Sequence, residues 1–136
     1  MIEIVTGPPC GGKSTYINER AKPGDIVIDM DRIALALTTE GTEPFTYSDT
    51  IRRVAFKARQ AAVTEALLVA QGERYQNVFI IHTDPSPDQR AAYRAMGGRI
   101  VECDPGKEVA LARVQHRPKQ NHAIAKKFIN EYYKYR

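Results

Sequence analysis

The stretch Ile2-Glu3-Ile4-Val5-Thr6-Gly7-Pro8-Pro9-Cys10-Gly11-Gly12-Lys13-Ser14 decides the reading of this chain. A short apolar run ends in a glycine- and proline-rich turn, and a helix-compatible segment follows from Lys13 to about Ala21, stopped by Pro23-Gly24. Gly7 to Ser14 matches G-x-x-x-x-G-K-[ST] at every fixed position, in the strand–loop–helix context the motif needs. Each part has a physical task. Gly7, Gly11 and Gly12 permit backbone shapes that turn successive N–H groups toward a phosphate. The following helix points its positive dipole end at the same place. Lys13 reaches toward β- and γ-phosphates, the Ser14 hydroxyl suits Mg²⁺, and Thr15 adds a hydroxyl near an α-phosphate. Gly7, Pro8, Pro9, Cys10, Gly11, Gly12, Lys13, Ser14 and Thr15 are therefore the candidate nucleotide-binding residues.

Working outward, strands and helices alternate. Ile26–Ile28 reads as a second strand, Arg32–Leu37 as a short helix, and 38–47 as a Thr/Glu/Gly/Pro loop. A long helix is expected from Ser48 to Ala70, where Ile51, Val54, Ala58, Ala62 and Val69 recur at helical spacing. Val78–Ile81 is continuously apolar, as in a strand buried on both faces. A helix over Asp88–Met96, a strand over Arg99–Cys103 and helices over Gly106–His116 and Ala123–Tyr135 complete the series. This pattern predicts an α/β fold of the P-loop NTPase kind: a three-layer sandwich with a parallel sheet of about four strands and helices on both faces. Ligands in such sheets sit at the carboxyl ends of the strands. That directs attention to 7–14, 29–32 and 82–84.

The chain has 136 residues, about the size of one domain, and residues 1–136 are expected to form a single unit. With 43% hydrophobic and 26% charged residues, disorder is excluded as an expectation. No apolar run approaches the roughly 18 residues of a membrane span, so no membrane partner is expected. Met1–Thr6 lacks the basic start of a signal peptide, and the expected location is the cytoplasm, with Cys10 and Cys103 as reduced thiols. The net charge of +4 is unevenly spread. Residues 1–106 hold twelve Lys/Arg against fourteen Asp/Glu, whereas residues 107–136 hold eight against two. A basic end of this kind fits either a polyanionic partner or a solvated helix face.

The motif is shared by kinases, GTPases and ATPase motors. A guanine-reading Asn-Lys-x-Asp is absent, and so is the apolar strand ending in Asp-Glu usual in motors; the third strand runs into His82-Thr83-Asp84. Small size and an acidic pair point to a phosphotransferase. The second strand runs into Asp29-Met30-Asp31-Arg32. Two carboxylates beside a polyphosphate need Mg²⁺ and a substrate hydroxyl to offset their repulsion. Asp31 suits a general base, or else caps the helix behind it. Asp29 suits a Mg²⁺-bound water. Arg32 either touches a substrate phosphate or pairs with an acidic neighbour.

Arg113 and Arg117 stand four apart, on one face of a helix that Pro118 ends, leaving Arg117 at a mobile end. Residues 106–122 read as a lid whose arginines meet charge on a transferred phosphoryl group. Arg52, Arg53, Lys57 and Arg59 form stripes on the long helix that fit a solvated face or a nucleic-acid track. Tyr132, Tyr133 and Tyr135 among lysines fit helix packing or base stacking. His82, His116 and His122 lack metal-ligand spacing.

On these residues the chain resembles the kinase domain of bacteriophage-type polynucleotide 5′-hydroxyl kinases, within the broader P-loop kinase group, from Ile2 to about Tyr133. The resemblance rests on the phosphate loop, on Asp31 where that family has its general base, and on Val78–Arg90, where it has an apolar strand, a polar turn and Pro-x-x-Arg. Arg117 falls at the family's lid arginine. The resemblance implies an ATP- and Mg²⁺-dependent kinase acting on a polynucleotide 5′-hydroxyl end, in a bacterial host cytoplasm for a phage protein. Asp29, Arg32 and Asp84 would then contact the acceptor. One departure stands out: the arginine three residues after the family's aspartate is Ala34 here, while Arg32 stands three after Asp29, so either aspartate fits the base. The Asp-x-Asp arrangement is also similar to shikimate-type small-molecule kinases. A nucleoside kinase, a kinase of hydroxymethylated bases in DNA and a non-catalytic nucleotide-binding protein remain alternatives.

Overall fold

The computed structural model describes residues 1–72 and 77–136. Four strands, β1 (Ile2–Thr6), β2 (Ile26–Ile28), β3 (Val78–Ile81) and β4 (Gly98–Glu102), form one parallel sheet in the order β2-β3-β1-β4. The register aligns Ile4 with Ile80 on one side and Ile100 on the other, and Ile28 with Ile80. Side chains alternate across the sheet. Ile2, Ile4, Ile28, Val78 and Ile80 therefore share one face, where they meet α3 (Asp49–Ala70) through Ala62, Val63 and Ala66, and α4 (Pro87–Ala95) through Tyr93. Val5 and Phe79 point the other way, onto Ile17 of α1 (Lys13–Asn18). Burial on both faces is why β1 and β3 read as continuous apolar runs. Ile4 is wholly buried, so truncation to alanine would cost about 2–5 kcal/mol. The fold is the α/β P-loop type that the alternation predicts.

One charged residue interrupts the core pattern. Glu3 lies only 4% exposed on the α1 side. Its carboxylate accepts the Tyr16 hydroxyl at 2.9 Å and faces Arg99 at 3.8 Å, which answers the buried charge.

Several boundaries differ from the sequence expectation, each for a local reason. α1 stops at Asn18 and continues as a turn, with the Arg20 and Ala21 N–H groups both on the Ile17 carbonyl. α2 (Met30–Ala36) begins two residues early because Asp29, not Asp31, is its N-cap, accepting the Asp31 N–H at 2.9 Å. α4 begins at Pro87 behind a capping box in which Ser86 and Gln89 satisfy one another's backbone N–H. α5 (Lys107–Arg113) ends earlier than expected and passes into a tighter turn over Val114–His116. A second such turn, Lys119–Asn121, leads into α6 (His122–Tyr133).

α5 and α6 share an apolar seam of Ala110, Val114, Ala125 and Ile129, and Cys10 packs against it. The pair thus rests on the phosphate loop. α6 is tied further to the end of β4: Tyr132 donates to Glu102 at 3.1 Å, and Tyr133 donates to Asp104. Of the two readings of the tyrosines, packing holds for Tyr132 and Tyr133, while Tyr135 is exposed. Among the described residues, no helix is long and apolar enough to cross a membrane.

Candidate functional site

The phosphate loop is held by backbone. Its first residue, Gly7, donates its N–H to the Thr83 carbonyl beyond β3 at 3.0 Å. Its Cα lies so close to the chain beyond β4 that a Cβ there would come within 2.1 Å of the Cys103 carbonyl oxygen. A Cβ on Gly11 would meet Pro8 O at 2.7 Å and Cys103 O at 2.8 Å. The loop is therefore wedged between the ends of β3 and β4. Gly12 precedes α1 in a left-handed conformation, and no side chain caps α1, so the first-turn N–H groups face outward as a ready anion site. Lys13 Nζ donates to the Gly7 and Pro8 carbonyls at 2.7 Å each, which holds the ammonium over the loop. Burial first, and then the positive charge of Arg117, lowers the Lys13 pKa to about 8.

The side of the site facing the loop is made of side chains. Because Asp29 takes the capping task, the Asp31 carboxylate is not consumed by the helix it begins. Asp31 is partly buried. Burial and then the like charge of Asp29 raise its pKa, while Arg117, Lys13 and Arg52 oppose the rise. Those three cations are the charges that a second negative group beside Asp31 would meet. The Tyr47 hydroxyl donates to the Asp31 carbonyl at 3.0 Å and fixes the backbone there.

The two lid arginines are placed differently from the expectation. They do not share one helix face: α5 ends at Arg113, and Arg117 is extended. Pro118 disfavours the helical conformation at the residue before it, which accounts for the break. Arg113 still reaches the loop, donating to Cys10 O at 3.1 Å. Nor is Arg117 at a mobile end. Its guanidinium stacks 4.0 Å above the Phe45 ring and donates to Asn121 Oδ1 at 3.1 Å, and His122 Nε2 lies 2.7 Å from its carbonyl. Asn121 Nδ2 in turn reaches the Phe45 carbonyl at 3.4 Å. Segment 117–122 is thereby clasped to loop 38–47 across the site. Among the described residues, Cys10 and Phe45 are the non-glycine residues with positive φ, and both line the cleft. Backbone strain of this kind concentrates where structure holds a functional geometry.

These parts surround one cleft of about 1370 Å³, which joins the phosphate loop, Asp29, Asp31, Arg113 and Arg117 with Arg52, Arg59, His82 and Asp84. A drug-sized ligand needs about 300–1,000 Å³, so the space exceeds that of one such ligand. Arg32 is set apart: it is exposed and borders a smaller depression that passes Ser14, Asp29 and Asp31. Asp84 lines the cleft but is engaged, with Arg136 at 2.7 Å and Arg90 at 3.8 Å. His82, its Nδ1 2.9 Å from the Tyr93 hydroxyl, is pushed down to about 4 by burial and then by Arg59, so it is neutral near pH 7.

The donor set suits Mg²⁺. Ser14, Asp29 and Asp31 border the same space, and Asp29 spends one carboxylate oxygen on the Asp31 N–H. Among the described residues there is no cluster of three or more His, Cys, Asp or Glu able to hold a metal. One hydroxyl and one or two carboxylates, completed by phosphate oxygens and water, is the habit of Mg²⁺ beside a nucleotide.

Some of this site is not visible in sequence order. Phe45 and Asn121 come from loops with no motif, and Tyr47 only adjoins a predicted helix. Arg52 and Arg59 were legible as cations but not as cleft residues; their spacing of seven, with Phe56 between, was the available signal.

A wedged G-x-x-x-x-G-K-S loop at the carboxyl edge of a 2-3-1-4 parallel sheet defines a P-loop nucleotide-binding protein. A family model described as an AAA domain matches residues 2–131, and the chain belongs to that family, a P-loop group that includes kinases. No curated protein matches the chain.

Proposed function

We propose that this protein is an ATP- and Mg²⁺-dependent kinase that transfers the γ-phosphoryl group to a nucleic-acid hydroxyl, most simply a polynucleotide 5′-hydroxyl end. The observation that carries the reading is Asp31: a partly buried carboxylate, relieved of capping by Asp29, within the electrostatic reach of Lys13 and Arg117 in the cleft of the phosphate loop. Such a carboxylate, with no capping task of its own, suits a base for an acceptor hydroxyl.

In this reading Asp31 takes the proton of the acceptor hydroxyl as its oxygen bonds to the γ-phosphorus. The bond from that phosphorus to the β-γ bridging oxygen breaks, and the electron pair leaves with ADP. Lys13, Arg113 and Arg117 face the charge on the transferred group, which in such reactions spreads over its equatorial oxygens. Ser14 and Asp29 would hold Mg²⁺, which when bound offsets phosphate charge. The acceptor would lie against Asp29 and Asp84, which line the cleft, under a lid formed by about residues 106–122, with Arg32 outside the contact. The basic end of the chain adds attraction for a polyanion.

The test is label transfer from γ-labelled ATP to 5′-hydroxyl DNA and RNA oligonucleotides. Transfer should occur, and Asp31→Asn should lower kcat by about 10²-fold or more. Transfer to a nucleoside or metabolite but to no oligonucleotide would replace this reading with the small-molecule one. ATP binding without turnover would replace it with a binding protein.

A further inference from the structure

We propose that loop 38–47 is a positioning device for the phosphoryl-transfer step: Phe45 sets the guanidinium of Arg117 over the cleft, and Tyr47, two residues on, sets the backbone of Asp31. The proposal rests on the kinase reading above. It adds to that reading two positioning residues, which act through Arg117 and Asp31.

Arg117 has no helix or strand to hold it. It follows the turn over Val114–His116 with extended backbone, φ −91 and ψ 159. Among the described residues, no carboxylate forms an ion pair with its guanidinium. What holds the group is a closed ring of three contacts. The guanidinium lies 4.0 Å from the centre of the Phe45 ring, it donates to Asn121 Oδ1 at 3.1 Å, and Asn121 Nδ2 donates to the Phe45 carbonyl at 3.4 Å. Asn121 is only 5% exposed, so the hub of this ring is itself fixed. A phenyl face attracts and orients a planar guanidinium without neutralising it. The positive charge thus remains available to a transferred phosphoryl group.

Phe45 occupies its place at a steric cost. Its φ of +66 is an outlier for a bulky side chain. Glycine adopts such a conformation freely, and the same loop has glycine at φ +83, at Gly41. Among the described residues, the half-buried Phe45 ring joins none of the apolar clusters of the core, so core packing does not account for it. Its partner is Arg117. The loop is braced to carry the ring. Thr46 Oγ1 donates to the Glu43 carbonyl at 2.6 Å, and Tyr47, 8% exposed, packs with Ala34 of α2 and Ala55 of α3. From that anchor the Tyr47 hydroxyl donates to the Asp31 carbonyl at 3.0 Å. One short loop therefore ties down both the arginine and the carboxylate. A misplacement of about 1 Å at a reacting centre can cost about 10²-fold in rate, and that is the loss this bracing guards against.

The test uses the full chain, γ-labelled ATP and a 5′-hydroxyl oligonucleotide, with a melting curve for every variant. Phe45→Gly relieves the backbone and removes the ring. It should hold Tm within about 3 °C, lower kcat about 10²-fold and change KM for ATP by less than about three-fold. Phe45→Tyr, which keeps a ring, should return kcat to within about three-fold of the wild type. In Arg117→Ala protein, Phe45→Gly should cost less than about two-fold more, because the group it positions is gone. Tyr47→Phe should lower kcat about five-fold, the scale of one neutral hydrogen bond. Glu40→Ala, at an exposed position of the same loop that does not line the cleft, should match the wild type. Should the acceptor prove to be a nucleoside or metabolite, the same ratios are expected on it, since they concern the arginine and not the acceptor. The device is refuted, and the kinase reading stands, if Phe45→Gly leaves kcat unchanged or if its loss is undiminished in Arg117→Ala protein. It is equally refuted if Phe45→Gly melts far lower and Phe45→Tyr does not recover activity. If the wild type labels no acceptor, the kinase reading falls and takes the device with it.

Discussion

The two walls of the cleft are built by different means. The phosphate-loop wall is backbone: Gly7 wedged against Cys103 O and tied to Thr83 O, Gly11 against Pro8 O, Gly12 left-handed before α1. The acceptor wall is side chains drawn from four places: Asp31 from α2, Arg52 and Arg59 from α3, Phe45 from a loop and Arg117 from beyond α5. A backbone wall depends on which residues are small, and tolerates almost no change. A side-chain wall depends on which groups meet, and each can be altered without collapse of the fold.

The largest test of that contrast is Gly7→Ala. A Cβ at φ +143 and 2.1 Å from a backbone oxygen must displace the loop. Nucleotide binding should be lost, and stability should fall by about 3 kcal/mol or more, about 10 °C in Tm. A variant that binds ATP with wild-type affinity would show that the wedge does not set the loop. On the other wall, Arg117→Ala should lower kcat by about 10³-fold, the lower range for an arginine at a transferred phosphoryl group, with little change in Tm. A ten-fold loss or less would reduce Arg117 to a clasp on Phe45.

A smaller effect links the walls through charge. Lys13 must carry its proton to attract phosphate, and its pKa is lowered to about 8. ATP binding should therefore weaken as pH rises through about 8. Arg117 is a positive neighbour that disfavours the ammonium form, so Arg117→Ala should move this alkaline limb to higher pH. A limb that stays in place would mean that burial alone lowers Lys13. The kcat/KM profile should also rise on its acid side at higher pH than for an ordinary aspartate, since burial raises Asp31. The smallest effect concerns the cap. Asp29→Ala should cost about 1 kcal/mol in a melting experiment, whereas Asp29→Asn, which still caps, should cost little. Equal losses would show that charge rather than capping is what Asp29 contributes to stability.

The same contrast explains how much was legible in the sequence. The sheet, the helices and the loop were readable because their requirements are local: apolar runs at Ile2–Val5 and Val78–Ile81, glycines at fixed offsets, Ser86 and Pro87 before α4. Asp31 was readable as one of two adjacent carboxylates, but the choice of cap was not. Both residues can cap a helix, and only the backbone at Asp29, extended with its side chain on the Asp31 N–H, distinguishes them. The lid arginines were found by spacing, yet the geometry behind the spacing was different, because the break before Pro118 outweighs helical periodicity. The clasp of Arg117 on Phe45 joins residues 72 positions apart, one of them in a loop with no pattern. Nothing in the order of residues announces such a pairing.

The wedge at Gly7 has a last consequence, for how this scaffold can change. A loop fixed by the ends of two neighbouring strands has no play with which to follow a new ligand, so the donor nucleotide's phosphates are met by an invariant mould. Diversification is then left to the opposite wall, where α2, α3, loop 38–47 and the segment after α5 each contribute a replaceable part. In the kinase reading, one acceptor is exchanged for another by substituting a few side chains of that wall, with the phosphate mould and the sheet beneath it untouched.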